Sequence, residues 1–277
     1  MVGNTTEKVV IIGCGYVGKE VARLWKQQGL AVTATTTSPE RVAELQAVAD
    51  RVRVLRGIDP EALQDCLQDQ QVVLVCVGSK RGASYRETYL ETAKTLATVL
   101  PNTQVQQLIY TSTSSVYGQH HGAVVSEATS VNPATANGEV IAATERTLLK
   151  LLSLKVCVLR LGGIYGPGRT LAKIYSRAAG QVRPGIGGEW TNWIHLNDIV
   201  GGIEFARSQS LSGIYNLVQD EIPTVRELID RVCDRNQLAP VQWDPSQLSA
   251  RPYNAKVSNA KIKAAGYSLV HPNFFEN

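Results

Sequence analysis

The sequence predicts a doubly wound α/β fold, a parallel sheet with helices packed on both faces, and three features carry the prediction. Val9 to Ile12 form a continuous apolar, β-branched run, which suits a strand buried on both faces rather than one face in water. That run passes directly into a Gly-x-Gly-x-x-Gly turn at Gly13, Gly15 and Gly18, and then into a helical pattern. Beyond it, strand-like and helix-like stretches alternate four times before Thr111.

The three glycines have separate tasks in such a turn. Gly13 permits the tight reversal, Gly15 lets a pyrophosphate approach the backbone, and Gly18 lets the helix pack closely on the strand. The free N–H groups near Tyr16 and Val17, together with the helix dipole, then favour the phosphates of a dinucleotide.

The helix Gly18 to Gln28 closes at Gly29, and a second strand runs from Leu30 to Thr35. An NAD site commonly places a carboxylate against the ribose 2′-hydroxyl at the end of this strand. Here Thr35, Thr36, Ser38 and Arg41 occupy the stretch instead, which suits a 2′-phosphate and favours NADP over NAD. Ser38 can equally cap the following helix, with Pro39 at its first position and Arg41 in solvent.

Arg41 to Asp50 reads as a helix and Val52 to Arg56 as the third strand. Ile58 and Asp59 follow as candidates to border the adenine, Asp59 also as an N-cap. The fourth strand, Gln71 to Val77, ends at Gly78 and Ser79, on the sheet edge where ligands bind in open α/β folds. Lys80, Arg81 and Arg86 add positive charge there. A long helix is expected from Tyr85 to Leu100, and a fifth strand from Gln106 to Thr111.

Composition narrows the classes. The 277 residues are 44% hydrophobic and 19% charged, with a net charge of +4, as in a globular protein large enough to bury a substantial core. No basic run suggests nucleic acid, no apolar run approaches a membrane span, and Met1 to Lys8 is polar without a signal segment. The five cysteines are scattered without a Cys-x-x-Cys pair, as for reduced thiols in a cytoplasmic protein, and no metal-ligand cluster is evident. Cys14, within the phosphate turn, reads as a small packing residue.

Five stretches together make a pattern. They are Ser112-Thr113 with Val116-Tyr117-Gly118, Leu159-Arg160 with Ile164 to Arg169, Trp193 to Asp198, Gly213 to Leu217, and the glycine turn itself. Together they resemble an extended short-chain dehydrogenase/reductase, the group that includes nucleotide-sugar epimerases and dehydratases. The resemblance spans nearly the whole chain, although the glycine spacing is shorter than that group's usual Gly-x-x-Gly-x-x-Gly. It implies a Rossmann domain over residues 1–165, with 198–218 returning to it, and a smaller C-terminal substrate lobe from 166–197 and 219–277.

The resemblance also implies a Tyr-x-x-x-Lys pair, in which Lys lowers the pKa of a proton-transferring Tyr. In the matching stretch Asn137 stands at the Tyr position and Ile141 at the Lys position. Thr113 matches the hydroxyl residue that contacts the substrate oxygen, or is simply a turn residue. Tyr117, His120, His121, Glu139 and Glu145 are the nearby groups that could carry a proton, Glu145 being expected at the surface. By the same resemblance Leu161 and Gly163 flank the nicotinamide. Ser79, Tyr165, Arg169, Trp190 and Arg251 face the substrate, with Lys256 and Asn259 as further candidates. The segment Arg183 to Trp190 reads as a mobile glycine-rich wall, and His195 and Asp198 as a structural corner.

The expected function is therefore an NADP-preferring oxidoreductase or epimerase-like protein acting on a small, anionic, nucleotide-sugar or carbonyl substrate with non-standard proton transfer. A catalytically inactive NADP-binding sensor is the alternative. Monomer and homodimer are both compatible with the sequence.

Overall fold

Val9, Val10 and Ile11 are completely shielded from solvent, as strands covered on both faces require, and they form the centre of the sheet. The computed structural model describes residues 6–79, 82–249 and 251–275, so Lys80 and Arg81 lie outside the described residues. In chain order the first half runs β1 (Lys8–Ile12), α1 (Tyr16–Gln27), β2 (Ala31–Thr36), α2 (Val42–Gln46), β3 (Arg51–Val54), α3 (Pro60–Leu67), β4 (Val72–Val75), α4 (Thr92–Val99) and β5 (Gln107–Thr113). The second half runs β6 (Val124–Val125), α5 (Ala136–Leu148), β7 (Lys155–Leu161), β8 (Gly163–Tyr165), α6 (Leu171–Tyr175), β9 (Val182–Pro184), β10 (Trp193–His195), α7 (Leu196–Ser208), β11 (Gly213–Leu217), α8 (Val225–Arg235), β12 (Gln242–Asp244), β13 (Lys256–Val257) and α9 (Ala260–Ala264).

Seven strands make one parallel sheet in the order β11-β7-β5-β4-β1-β2-β3. The order reverses at β1, between β4 and β2, which is the crevice where doubly wound sheets bind ligands. Strand β3 lies at the edge, and the solvent exposure of Arg51 and Arg53 fits that place.

The chain divides into two compact units. The first comprises Met1–Ser112, Glu139–Leu159 and Val200–Ile214. Leu63 and Leu67 of α3, Leu96 of α4 and Leu148 of α5 share a buried cluster with Val10, Val73 and Leu108 of the sheet. Burying each such side chain contributes about 1.5–3 kcal/mol. Helix α1 turns Val17, Val21, Ala22 and Trp25 inward, and the Trp25 indole Nε1 donates to Glu204 at 2.8 Å.

Two expected helices are broken up. The stretch expected from Arg41 to Asp50 is a 3-10 turn at Pro39–Arg41 followed by α2, and Asp50 beyond it accepts from the Val32 N–H. The stretch expected from Tyr85 to Leu100 opens with a π turn at Glu87–Glu91, where the Thr92 hydroxyl donates to the Glu87 carbonyl five residues back. A 3-10 turn at Leu100–Asn102, containing Pro101, ends it.

The second unit comprises Thr113–Gly138, Arg160–Ile199 and Tyr215–Asn277. Short strand pairs hold it together, with β8 on β10, β9 on β12 and β6 on β13, all parallel. Helix α8 packs Leu228 and Val232 against Leu171 and Phe274, and Ile229 against Val241. Its N-terminus carries a capping box, in which Thr224 and Glu227 satisfy each other's backbone N–H.

Candidate functional site

In the first unit the glycine turn has the geometry that a dinucleotide phosphate requires. Gly13 has φ +87°, and a Cβ there would lie 2.8 Å from the Val77 Cα. A Cβ on Gly18 would lie 3.1 Å from an Ile11 methyl, which is the close helix–strand approach expected. Above Gly15 nothing lies within 4 Å of a Cβ, so that side of the turn is open. Gly15 is also the N-cap of α1, with no side-chain cap and no acidic residue in the first turn. The N–H groups there suit an anion, and the residues fit a dinucleotide.

The end of β2 holds the turn in shape. Gly13 N donates to the Thr35 hydroxyl at 3.0 Å, and Cys14 N donates to the Thr35 carbonyl at 2.9 Å. The Thr36 hydroxyl accepts from Ser38 N at 3.1 Å, and Thr35, Thr36 and Ser38 are all buried. Ser38 precedes the 3-10 turn as its N-cap but makes no side-chain capping bond. Arg41 is the partly exposed group of this set. It donates to the Cys14 carbonyl at 2.8 Å and to Glu44 at 3.1 Å, while Lys19 pairs with the same Glu44 at 2.9 Å. Cys14 is buried, and burial, aided by the neighbouring Cys76, pushes its thiol up to about 12.

Val17 is buried and Tyr16 partly exposed. Ile58 is half-buried, and Asp59 is the N-cap of α3, accepting from Ala62 N at 3.0 Å. Gly78 and Ser79 are exposed, and Ser79 N approaches the Tyr89 hydroxyl at 3.4 Å. Arg86 is paired with Glu91. Glu145 is buried rather than at the surface, because it accepts a 2.5 Å hydrogen bond from the Ser112 hydroxyl. Ile141 is also buried, while Asn137, at the start of α5, is exposed.

The second unit contains a cavity of about 560 Å³. Thr113, Ser115, Gly163 and Arg251 line it, together with Tyr175, Arg183, Glu189, Asn192, Trp193, Trp243 and Tyr253. Thr113 Oγ1 accepts from Ser115 N at 3.2 Å and bonds the Ser115 hydroxyl at 3.1 Å, so the two hydroxyls form one polar edge. Leu161 is buried at the end of β7. Arg183 lies over the Trp243 ring at 5.8 Å and Arg251 over the Tyr253 ring at 4.8 Å. Neither guanidinium has an ion pair among the described residues. Trp243 Nε1 is shielded from solvent and, among the described residues, has no hydrogen-bond partner.

Other substrate candidates lie elsewhere in this unit. The Tyr165 ring packs edge-on to Trp193 and His195 and against Phe274, and Arg169 closes an exposed turn with Gly166. Trp190 donates through Nε1 to the Gly122 carbonyl at 3.2 Å and carries Lys256 on its ring. Asn259 donates to the Val218 carbonyl and to Asp220. Tyr117 is fully buried; its hydroxyl donates to Asn216 at 2.8 Å, Arg160 lies over its ring, and burial raises its pKa. A phenol so committed positions β11 rather than meeting a substrate. Asp198 is also fully buried and accepts from Val270 N and His271 N, the structural corner expected of it.

The glycine-rich wall is tied to its neighbours by hydrogen bonds. Gly185 N donates to the Asp244 carbonyl, Arg226 N to the Gly187 carbonyl, Arg226 Nε to the Ile186 carbonyl and Val225 N to the Glu189 carbonyl. Trp243, Tyr175 and Tyr253 were not marked as site residues by the sequence, and Arg183 only as the start of the glycine-rich wall. Arg183 and Trp243 become partners only because β9 and β12 pair in register.

A parallel seven-stranded sheet with a glycine turn at its switch point defines a dinucleotide-binding α/β protein of the Rossmann class. Residues 9–217 match the NAD dependent epimerase/dehydratase family, and the chain belongs to that family. It is similar to the protein YeeZ of Escherichia coli K12, 30% identical over 217 residues that cover 76% of this chain and 77% of YeeZ. A functionally unknown conserved protein from Silicibacter pomeroyi shares its structure with a TM-score of 0.80 at 25% identity, covering 97% of this chain and 95% of that one. The UDP-glucose 4-epimerase of Thermus thermophilus, solved with NAD, shares the fold with a TM-score of 0.76 at 21% identity, covering 94% of this chain and 93% of that one. Among the described residues no helix is long and apolar enough to cross a membrane, and no group of three or more His, Cys, Asp or Glu side chains could hold a metal ion.

Proposed function

We propose that this chain is an NADP-preferring oxidoreductase or epimerase-type enzyme that acts on an anionic sugar-like substrate, with nucleotide sugars as the first class to test. The observation that carries this reading is the cavity of the second unit, where Arg183 and Arg251 stand beside Trp243 and Tyr253 without carboxylate partners among the described residues. Guanidinium forks suit phosphate or carboxylate, and the aromatic faces suit a flat ring. Structural neighbours with UDP-glucose or UDP-glucuronic acid and NAD bound support that choice of probes.

In this reading the N-terminus of α1 and the open side of Gly15 hold the pyrophosphate, and Arg41 meets the 2′-phosphate. Bound NADP supplies a hydride acceptor or donor. Arg183 and Arg251 orient the anionic end of the substrate, and the Thr113–Ser115 edge binds the reacting oxygen.

A second reading, a cofactor-binding sensor without turnover, draws on Asn137 and Ile141 at the positions of the usual acid–base pair. The deciding experiment is calorimetric titration with NADPH and NADH, followed by nicotinamide absorbance with UDP-glucose, UDP-glucuronic acid, dTDP-glucose and simple carbonyls. Binding of neither dinucleotide would sink both readings. Tight NADPH binding with neither an absorbance change nor a new sugar product by NMR across the panel favours the sensor.

A further inference from the structure

By the family resemblance, the usual proton-transfer pair falls on two residues that cannot do its work. Asn137 carries no transferable proton of a phenol's kind, and Ile141 has no polar atom. Tyr117 is buried with its hydroxyl committed to Asn216. A protein that still moves a proton in the second-unit cavity therefore needs another group on the cavity wall.

The titratable side chains along that wall are Tyr175, Tyr253, Arg183, Arg251 and Glu189. Tyr175 is unsuited, since burial, against the opposing pull of Arg251 and Arg183, pushes its phenol up to about 12. The two guanidiniums do not give up protons in proteins. Tyr253 lies beneath the Arg251 guanidinium. Glu189 is the carboxylate among the lining residues, and it makes no side-chain hydrogen bond or ion pair among the described residues.

Its backbone is held firmly on both sides. The Glu189 carbonyl accepts from Val225 N at 2.8 Å, at the start of α8. Just before it, Arg226 fixes the carbonyls of Ile186 and Gly187. Just after it, Trp190 N donates to Asn254 at 3.1 Å, Trp190 bridges to Thr224, and Thr191 N donates to the Pro223 carbonyl at 2.9 Å. A carboxylate with no partner among the described residues, on a hydrogen-bonded stretch of the wall that also presents the Thr113 and Ser115 hydroxyls, is the arrangement a general base needs.

We propose that Glu189 is the proton-transfer residue of this site. The assignment rests on the nicotinamide-dependent reading above. In the oxidative direction bound NADP would supply the acceptor for the hydride that leaves the substrate's carbinol carbon. The carbon–oxygen double bond forms as the O–H bond breaks, and that proton passes to the Glu189 carboxylate. In the reductive direction the same carboxyl returns the proton to the new hydroxyl. Thr113 and Ser115 hold the oxygen throughout. A carboxylate needs no lysine beside it to accept a proton, which accounts for a site that dispenses with both members of the Tyr–Lys pair.

The test compares wild type with Glu189→Gln and Glu189→Asp, using the nucleotide sugar that gives the largest absorbance change with wild type and UDP as a non-reacting probe. Glu189→Gln should lower kcat by about 100-fold or more, the usual size of a lost general base, with KM within about threefold. The acid limb of its pH–rate profile should vanish, and Glu189→Asp should recover part of the rate. UDP should bind Glu189→Gln at least as tightly as wild type by calorimetry, because the substitution removes a negative charge from the wall of the cavity that Arg183 and Arg251 also line. A Glu189→Gln rate within threefold of wild type overturns the assignment while leaving the enzyme reading intact. Loss of UDP binding together with the rate also overturns it, by showing a structural role. If wild type binds NADPH and UDP but turns over nothing, the enzyme reading falls and the Glu189 assignment falls with it.

Discussion

Arg41 donates through Nη1 to the carbonyl oxygen of Cys14, 2.8 Å away, and so places a cation against the glycine turn itself. That cation is shared, because Glu44 accepts from Arg41 and also pairs with Lys19. Lys19 and then Arg41 hold the Glu44 carboxyl below the usual carboxylate range. A 2′-phosphate arriving here would compete with Glu44 for both cations. Arg41→Ala is expected to weaken NADPH by about tenfold or more, equivalent to about 1.4 kcal/mol, and NADH much less. Glu44→Gln should act the other way, tightening NADPH and leaving NADH unchanged. Calorimetric Kd values for both dinucleotides check this, and an equal effect on the two would refute the phosphate contact.

Tyr117 provides a test of stability without chemistry. Its hydroxyl donates to Asn216 Oδ1 inside a site with no solvent access to either residue. Tyr117→Phe removes the donor and leaves a buried acceptor short of one bond, which costs about 1–3 kcal/mol. Asn216 remains anchored through Ser258 and Glu127, so the fold survives. The expected result is a Tm lowered by several degrees with unchanged NADPH affinity. A Tyr117→Phe protein with native Tm but no turnover would instead return Tyr117 to the chemistry.

The contrast between Tyr117 and Arg183 shows what the sequence could reveal. Features governed by near neighbours were legible: the strand at Val9 to Ile12, the tight turn at Gly13, the close helix–strand approach at Gly18 and the Asp59 cap. The cavity was not, because its walls come from distant stretches brought together by short strand pairs. Arg183 meets Trp243 through the β9–β12 register, which neither short strand announces. Side-chain direction was equally hidden. Tyr165 and Trp190 belong to stretches expected to flank the pocket, but their rings turn into an aromatic cluster and onto Gly122. Glu145 was misplaced for the same reason, since only the fold brings Ser112 to it.

His195 and His271 make stability depend on pH. Their ring centroids are 3.8 Å apart, and Asn197 contacts both rings. Burial first, and then His271, lower the His195 pKa from 6.5, against a smaller opposing pull from Asp198. A histidine with a depressed folded-state pKa contributes its full stability above the unfolded value and loses it as pH falls from there through the folded value. The unfolded chain takes up the proton first, so the loss begins near pH 6.5 and deepens below it. His271→Ala removes one cause of the depression and should move the His195 titration upward, as followed by NMR of the imidazole protons. An unmoved titration would leave burial as the whole cause.

Gly13 and Gly15 separate folding from binding within one turn. At Gly13 the backbone is left-handed, with φ +87°, and an added Cβ would lie 2.8 Å from the Val77 Cα and 3.0 Å from the Cys76 carbonyl oxygen. Both neighbours are main-chain atoms of the strand end and its loop, so neither can rotate away. Gly13→Ala should therefore lower Tm and weaken dinucleotide binding together. Gly15 has φ −91° and nothing within 4 Å of the position a Cβ would take, so alanine there meets no obstacle in the protein. The added methyl would instead occupy the open side of the turn, where a pyrophosphate has to approach the backbone. Gly15→Ala should keep the native Tm while losing NADPH affinity by tenfold or more, as read by thermal melting and calorimetry on the same samples. Undiminished NADPH binding by Gly15→Ala would show that the phosphates do not lie over this turn.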